Sequence, residues 1–261
     1  MDLPLIQILL LFVSSLIVYA VTRAFAFDRT PPTLTNPKRS SLFSFLGVFI
    51  GLLPFAIIFL LMSFSHGGQT SEAGGNEMQY TPRSVYNEII FVLIAIAPSI
   101  IILRKQREGL DSVGISSKNF IKSLLLALVL IAFTIALASL LLGGGGAGVH
   151  YKFTTNTFWA FFYFALVASS EEFLFRGYLQ TRLIAWLGTW KGWIIASLFM
   201  AITHIPQRLG VYGMTFSDAV LSSLSLIPIS LFLGYVMLRT RNIAAPVLLH
   251  LFADWMNVFY R

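Results

Sequence analysis

The chain has 261 residues, of which 57% are hydrophobic and only 11% charged; its mean hydropathy is +0.80, its net charge +7, and it holds no cysteine. Ordinary soluble domains carry about 25% charged residues, so a soluble globular domain, a disordered chain and a fibrous repeat are all excluded. Without thiols, a disulfide-stapled scaffold, cysteine–zinc and iron–sulfur sites and a cysteine nucleophile are excluded as well.

Crossing a hydrocarbon core of roughly 30 Å takes about 20 apolar residues per helix. In chain order, eight such stretches run over 3–22, 41–63, 85–103, 120–142, 155–178, 192–206, 216–238 and 242–260. Lipid offers no partner for unpaired backbone groups, and no alternating barrel pattern is present. The expected fold class is therefore all-α: a polytopic integral membrane helical bundle with about eight transmembrane helices. The first stretch is a span rather than a cleaved signal, because its leading residues hold Asp2 and no basic residue. Pro54, Pro98 and Pro228 fall inside spans and are expected to kink them. The fifth stretch should continue as a helix to about Leu183. The 64–84 segment reads as an exposed outer loop. Gly143–Gly146 lacks a following Lys-Ser/Thr, so it is no phosphate loop.

Basic residues set the expected orientation. Fourteen of the eighteen fall in loops one, three, five and seven, with Arg176, Arg182 and Lys191 counted in loop five. The opposite side holds Arg83, Lys152, Arg208 and Arg261. By the positive-inside rule the odd loops are cytoplasmic and both termini lie outside. Trp186, Trp190 and Trp193 flank loop five as an interfacial aromatic belt would. The basic runs therefore report topology rather than nucleic acid, which is not an expected partner.

Ionisable side chains inside a span are costly and mark functional sites. Eight of the eleven acidic residues are placed in loops or at span ends; Glu171, Glu172 and Asp254 are not. His66 and His150 fall in outer loops, whereas His204 and His250 fall inside spans six and eight. At 1.5 Å per residue, Glu171, His204 and Asp254 each lie roughly 18 Å, and His250 roughly 12 Å, from the cytoplasmic helix ends. His250 and Asp254 are i,i+4, as are Glu172 and Arg176, which suits a neutralising ion pair. Glu171 is rotated by about 100° from Glu172. It is thus the free carboxylate, a general base for water beside an imidazole. The chain divides into an N-terminal part, 1–150, with four helices and their loops, and a C-terminal four-helix catalytic core, 151–261.

These residues resemble the CPBP family, the CAAX prenyl endopeptidases and Abi-type intramembrane proteases. Glu171-Glu172-Phe173-Leu174-Phe175-Arg176 matches its EExxxR motif, His204 ends the second motif (FxxxH), and His250-Leu251-Phe252-Ala253-Asp254 matches HxxxN/D. Two positions depart from the pattern. Position 200 is Met, with Phe199 one residue earlier, and Asp254 stands where the prenyl-endopeptidase branch has Asn. The resemblance implies a membrane hydrolase, a protease whose site opens toward the cytoplasm. Glu171 with His204 would activate water, His250 and Asp254 would stabilise the oxyanion, and Glu172 with Arg176 would support the motif.

An Asp donates a hydrogen bond only when protonated. Alternatively, Glu171, His204, His250 and Asp254 form a zinc site, consistent with a metalloprotease-like label; there is no HExxH helix. A metal-free mechanism without cofactor is the expectation. The expected partners are the bilayer and a membrane-associated protein or peptide, such as one bearing a prenylated C-terminal motif. The alternatives are a transporter or proton relay and a non-catalytic relative acting by binding.

Overall fold

The computed structural model describes residues 3–65, 79–142 and 153–259; the described part is helical, with no strand. The expectations for His66, His150, Gly143–Gly146 and most of the 64–84 loop lie outside these residues. The helices are α1 (Leu3–Ala24), α2 (Pro37–Ser65), α3 (Pro82–Lys105), α4 (Phe120–Leu142), α5 (Thr155–Glu171), α6 (Thr181–Leu187), α7 (Thr189–Thr203), α8 (Ile205–Gly210), α9 (Phe216–Leu224), α10 (Ile227–Thr240) and α11 (Ala244–Phe259). A 3₁₀ turn covers Leu110–Val113. A π-helical segment, Glu172–Gln180, joins α5 to α6 without a break in direction.

All eight apolar stretches are helical, and the protein is a polytopic helical bundle. Among the described residues, six helical segments are long and apolar enough to cross a membrane. They are Gln7–Ala24, Pro37–Ser65, Pro82–Lys105, Phe120–Leu137, Thr155–Leu187 and Phe216–Thr240. The expected sixth and eighth spans are shorter: α7 has 15 residues and α11 has 16, roughly 22–24 Å. α7 is followed, after His204, by the six-residue α8.

The break between α7 and α8 has a local cause. Pro206 has no N–H and its ring crowds the carbonyl four residues earlier, at Ile202. The α-helix therefore ends at Thr203, and His204 sits at the junction rather than inside a span. Pro228 acts likewise on Leu224, the last residue of α9. It ends one helix and opens the next, correcting the expected kink. Pro54 and Pro98 do lie inside helices. The fifth stretch runs to Leu187, past the expected Leu183.

The N-terminal helices pack around the later ones: α2 on α3, α6 and α8, α3 on α5, α4 on α11, and α1 on α10. Two glycines permit the closest approaches. A Cβ at Gly51 would strike the Ala95 carbonyl, and one at Gly210 the Phe59 carbonyl. Small residues at helix crossings are the means by which membrane helices reach backbone contact.

Hydrogen bonds mark the two ends of the bundle. At one end Lys122 Nζ donates to the Ala26 carbonyl, Asn119 to Thr240 and Asn242 to Ser116. At the other, Tyr80 N–H donates to Asn156 Oδ1 and Trp255 Nε1 to the Thr157 carbonyl. The first end carries the basic loops, and the second is the end at which α1 begins and α11 finishes. Arg176 and Arg182 are buried inside the long 155–187 helical segment, which corrects their placement in loop five. Setting both aside leaves twelve basic residues against four, so the charge asymmetry survives.

Candidate active site

The π-helical segment is the local peculiarity on which the site depends. A π turn bonds i to i+5 and is favoured mainly where function requires it. Here it begins at Glu172, the residue after the last α-helical turn, so Glu171 and Glu172 project to different surroundings. Glu172 and Arg176 are 0% and 1% exposed and form an ion pair, with Arg176 Nη1 donating to Glu172 Oε1 at 2.8 Å. Arg176 Nη2 donates to Ser230 on α10 at 3.2 Å. The spacing of four residues anticipates that pair.

Sequence spacing does not anticipate the second bond to the same oxygen. His250 Nδ1 donates to Glu172 Oε1 at 2.8 Å, so Glu172 orients the histidine of α11 as well as holding Arg176. With Nδ1–H committed, Nε2 of His250 points into the site, 4.0 Å from Glu171 Oε2 and 3.3 Å from Asp254 Oδ2. His204 is fixed in the same sense. Its Nδ1 donates to the Met200 carbonyl at 2.9 Å, leaving Nε2 3.6 Å from Glu171 Oε1.

Glu171, His204, His250 and Asp254 are thus brought together from three separate parts of the chain. Glu171 stands between two imidazole Nε2 atoms at 3.6 and 4.0 Å, distances too long for direct hydrogen bonds. A water with ordinary legs of about 2.8 Å to Glu171 Oε1 and His204 Nε2 fits the shorter spacing. The Glu171 Oε2 atom is shut from solvent and has no hydrogen-bond partner. The carboxylate side chain as a whole is 23% exposed. One oxygen is therefore held in a dry corner while the group still reaches the cavity.

The surroundings are asymmetric. Toward the basic-loop end, residues Glu172 to Leu183 are all buried, and Arg182 seals them. Arg182 is 0% exposed and donates to Glu108 Oε2 at 2.8 Å and to the Ser112 hydroxyl and carbonyl. Toward the other end exposure rises, from 12% at His250 to 33% at Asp254, and residues 203–209 are half-buried. The site residues are therefore more exposed toward the end that carries the chain termini than toward the basic loops.

Three further groups lie beside the site. Glu88 of α3 is 8% exposed; it lies within electrostatic reach of Tyr163 of α5 and of Glu171. It had been counted with loops and span ends, because it sits only six residues after Pro82. Arg208 lies one turn beyond His204 on α8. Trp255, next to Asp254, anchors α11 on α5 through the Thr157 carbonyl at 2.8 Å.

A metal would need three or more converging ligands. The tautomers of His204 and His250 are those a metal-binding histidine adopts. Even so, among the described residues no group of three or more His, Asp or Glu side chains is placed to hold an ion. The residues present can do acid–base chemistry on a water and offer an imidazole N–H to a developing oxyanion.

Residues 152–256 match a family model described as type II CAAX prenyl endopeptidase, Rce1-like. Glu171, Glu172, Arg176, His204, His250 and Asp254 all fall within the matched stretch. Neither a curated protein nor a solved structure matches the chain. The stretch of chain that builds the site is thus similar to the type II CAAX prenyl endopeptidases.

Proposed function

We propose that the protein is an intramembrane endopeptidase that cleaves a membrane-associated peptide near a C-terminal motif, using water activated by Glu171. The observation that carries this reading is Glu171 standing between the inward-facing Nε2 atoms of two histidines whose Nδ1 atoms are both committed elsewhere. In this mechanism Glu171 takes a proton from water as the oxygen attacks the scissile carbonyl. His204, with Nε2 as an acceptor, helps orient that water. The oxyanion accepts a hydrogen bond from protonated Nε2 of His250. Glu171 then returns its proton to the leaving nitrogen, so protons balance within one site. Glu172 and Arg176 hold His250 and the π-helical segment rather than touching substrate. Asp254 lies against the oxyanion donor and steadies it.

The test is hydrolysis of a farnesylated peptide ending in a Cys-aliphatic-aliphatic-X motif by purified protein in nanodiscs, with Glu171→Gln as control. Wild-type cleavage that the variant loses supports the reading. Equal cleavage by both refutes the assignment of the base. A parallel arm removes metal with a chelator and measures residual metal. Full activity in metal-free protein supports the reading, whereas loss restored only by zinc favours a four-ligand site of Glu171, His204, His250 and Asp254 instead. A proton relay or transporter would instead show ion flux in sealed vesicles and no peptide cleavage.

A further inference from the structure

Three arginines lie near the site, and they differ in their partners. Arg176 is paired with Glu172 and Arg182 with Glu108. Arg208 has no carboxylate within ion-pair distance among the described residues. Its Nε is shut from solvent without an acceptor, and its guanidinium lies over the Tyr212 ring at 4.9 Å. A guanidinium left without a counterion at a half-buried place in a membrane protein is costly, and its planar fork matches a carboxylate in bidentate fashion.

Its position relative to the site is fixed by the backbone. The Arg208 N–H donates to the His204 carbonyl at 3.1 Å, so the turn is helical and the two side chains share a face. His204 presents Nε2 to Glu171 on that face. Arg208 therefore stands about 6 Å further along it, with its charge within electrostatic reach of the His204 ring. The step leads toward the end at which the exposure of the site residues rises.

We propose that Arg208 binds the C-terminal carboxylate of the substrate peptide and so sets the distance between the chain end and the bond that is cut. This rests on the endopeptidase reading above. Cleavage after the cysteine of a Cys-a-a-X terminus leaves three residues on the departing side. Extended at 3.3–3.6 Å each, they span about 10 Å. An arginine side chain rooted about 6 Å beyond His204 reaches that distance. Arg208 is then a specificity-determining residue: the free chain end, rather than the aliphatic side chains alone, places the scissile carbonyl over Glu171.

The experiment compares farnesylated Cys-a-a-X peptides that end in a free acid or in an amide, using full-length wild type, Arg208→Gln and Arg208→Lys in nanodiscs. Wild type is expected to cut the free acid with a kcat/KM roughly 10- to 100-fold above the amide, the range of a charge-assisted hydrogen bond. The difference should lie mainly in KM. In Arg208→Gln the ratio should fall to about one, and Arg208→Lys should keep part of it. If wild type cuts acid and amide equally, or Arg208→Gln keeps the preference, Arg208 is not the anchor, while the endopeptidase reading stands. If wild type cuts neither peptide and Glu171→Gln protein binds neither, the endopeptidase reading fails and the anchor fails with it. The wild-type acid-to-amide ratio needs no variant, so the proposal stays testable even where Arg208→Gln does not fold.

Discussion

The two halves of the membrane interior around Glu171 treat their charges in opposite ways. On the basic-loop side, Glu172, Arg176 and Arg182 are at most 1% exposed, and every guanidinium is matched to a carboxylate. On the other side Glu171, Asp254 and Arg208 are partly exposed, and Glu171 Oε2 and Arg208 Nε have no hydrogen-bond partner. Both halves violate the apolar rule of the bilayer interior; Glu172 Oε2 also lacks a partner, but Glu172 is fully buried, so only the other half presents its demand to an incoming group. A buried pair that is complete holds helices together, whereas incomplete charge in a cavity is available for chemistry. Adjacency in sequence does not separate the two kinds: Glu171 and Glu172 are neighbours and fall on opposite sides of the divide.

The sharpest way to break this comparison is to neutralise each neighbour in turn. Glu171→Gln should lower the cleavage rate by about 10²- to 10⁴-fold, the range for a general base, while leaving the thermal unfolding midpoint in detergent unmoved. Glu172→Gln should lower both, because it strands the Arg176 charge and frees the His250 ring; breaking a buried pair costs about 3–5 kcal/mol. If Glu172→Gln were as stable as wild type, the closed half would not be the structural half.

Arg182 tests the closed half away from any reacting atom. Arg182→Met should destabilise by about 3–5 kcal/mol by leaving Glu108 buried and unpaired, and adding Glu108→Gln should recover part of that loss. The coupling between the two is read from a double-mutant cycle of unfolding midpoints. A smaller effect is expected at Trp255→Phe, which removes one hydrogen bond to the Thr157 carbonyl and should cost about 1 kcal/mol.

Much of this architecture is legible in the sequence, for reasons that also mark where legibility stops. Hydropathy reports that a segment lies in lipid, so the apolar stretches became helices. The ordered motifs report which residues carry charge into them, and all six motif residues meet at the site. Hydropathy does not report register or partners. Arg182 looks like a loop residue until Glu108, 74 positions away, is seen to neutralise it. Glu88 looks like a span end until α5 covers it with Tyr163. The nine-residue π-helical segment has no propensity signal, because its stability comes from Ser230, Gly234 and His250 on other helices. The break at His204 did have a signal, Pro206, whose effect on Ile202 follows from its ring alone.

The smallest expected effect, at Asp254, separates two roles that give the open half different chemistry. Asp254 Oδ2 lies 3.3 Å from His250 Nε2, close enough to hold the imidazole that faces the oxyanion. In that role a neutral amide serves nearly as well, since Asn offers both an acceptor and a donor at any pH. Asp254→Asn should then keep the rate within about tenfold of wild type, the scale of one hydrogen bond. If the carboxyl instead donates to the oxyanion, it acts only while protonated. Asp254→Asn, whose amide carries the donor at any pH, would then be at least as fast as wild type. A metal ligand behaves differently from both, because replacing a charged oxygen by an amide weakens the ion's hold and removes activity that added zinc restores. The rate of this one substitution, measured with and without zinc, therefore tells whether the carboxylate near Glu171 steadies a histidine, donates to the oxyanion or holds an ion.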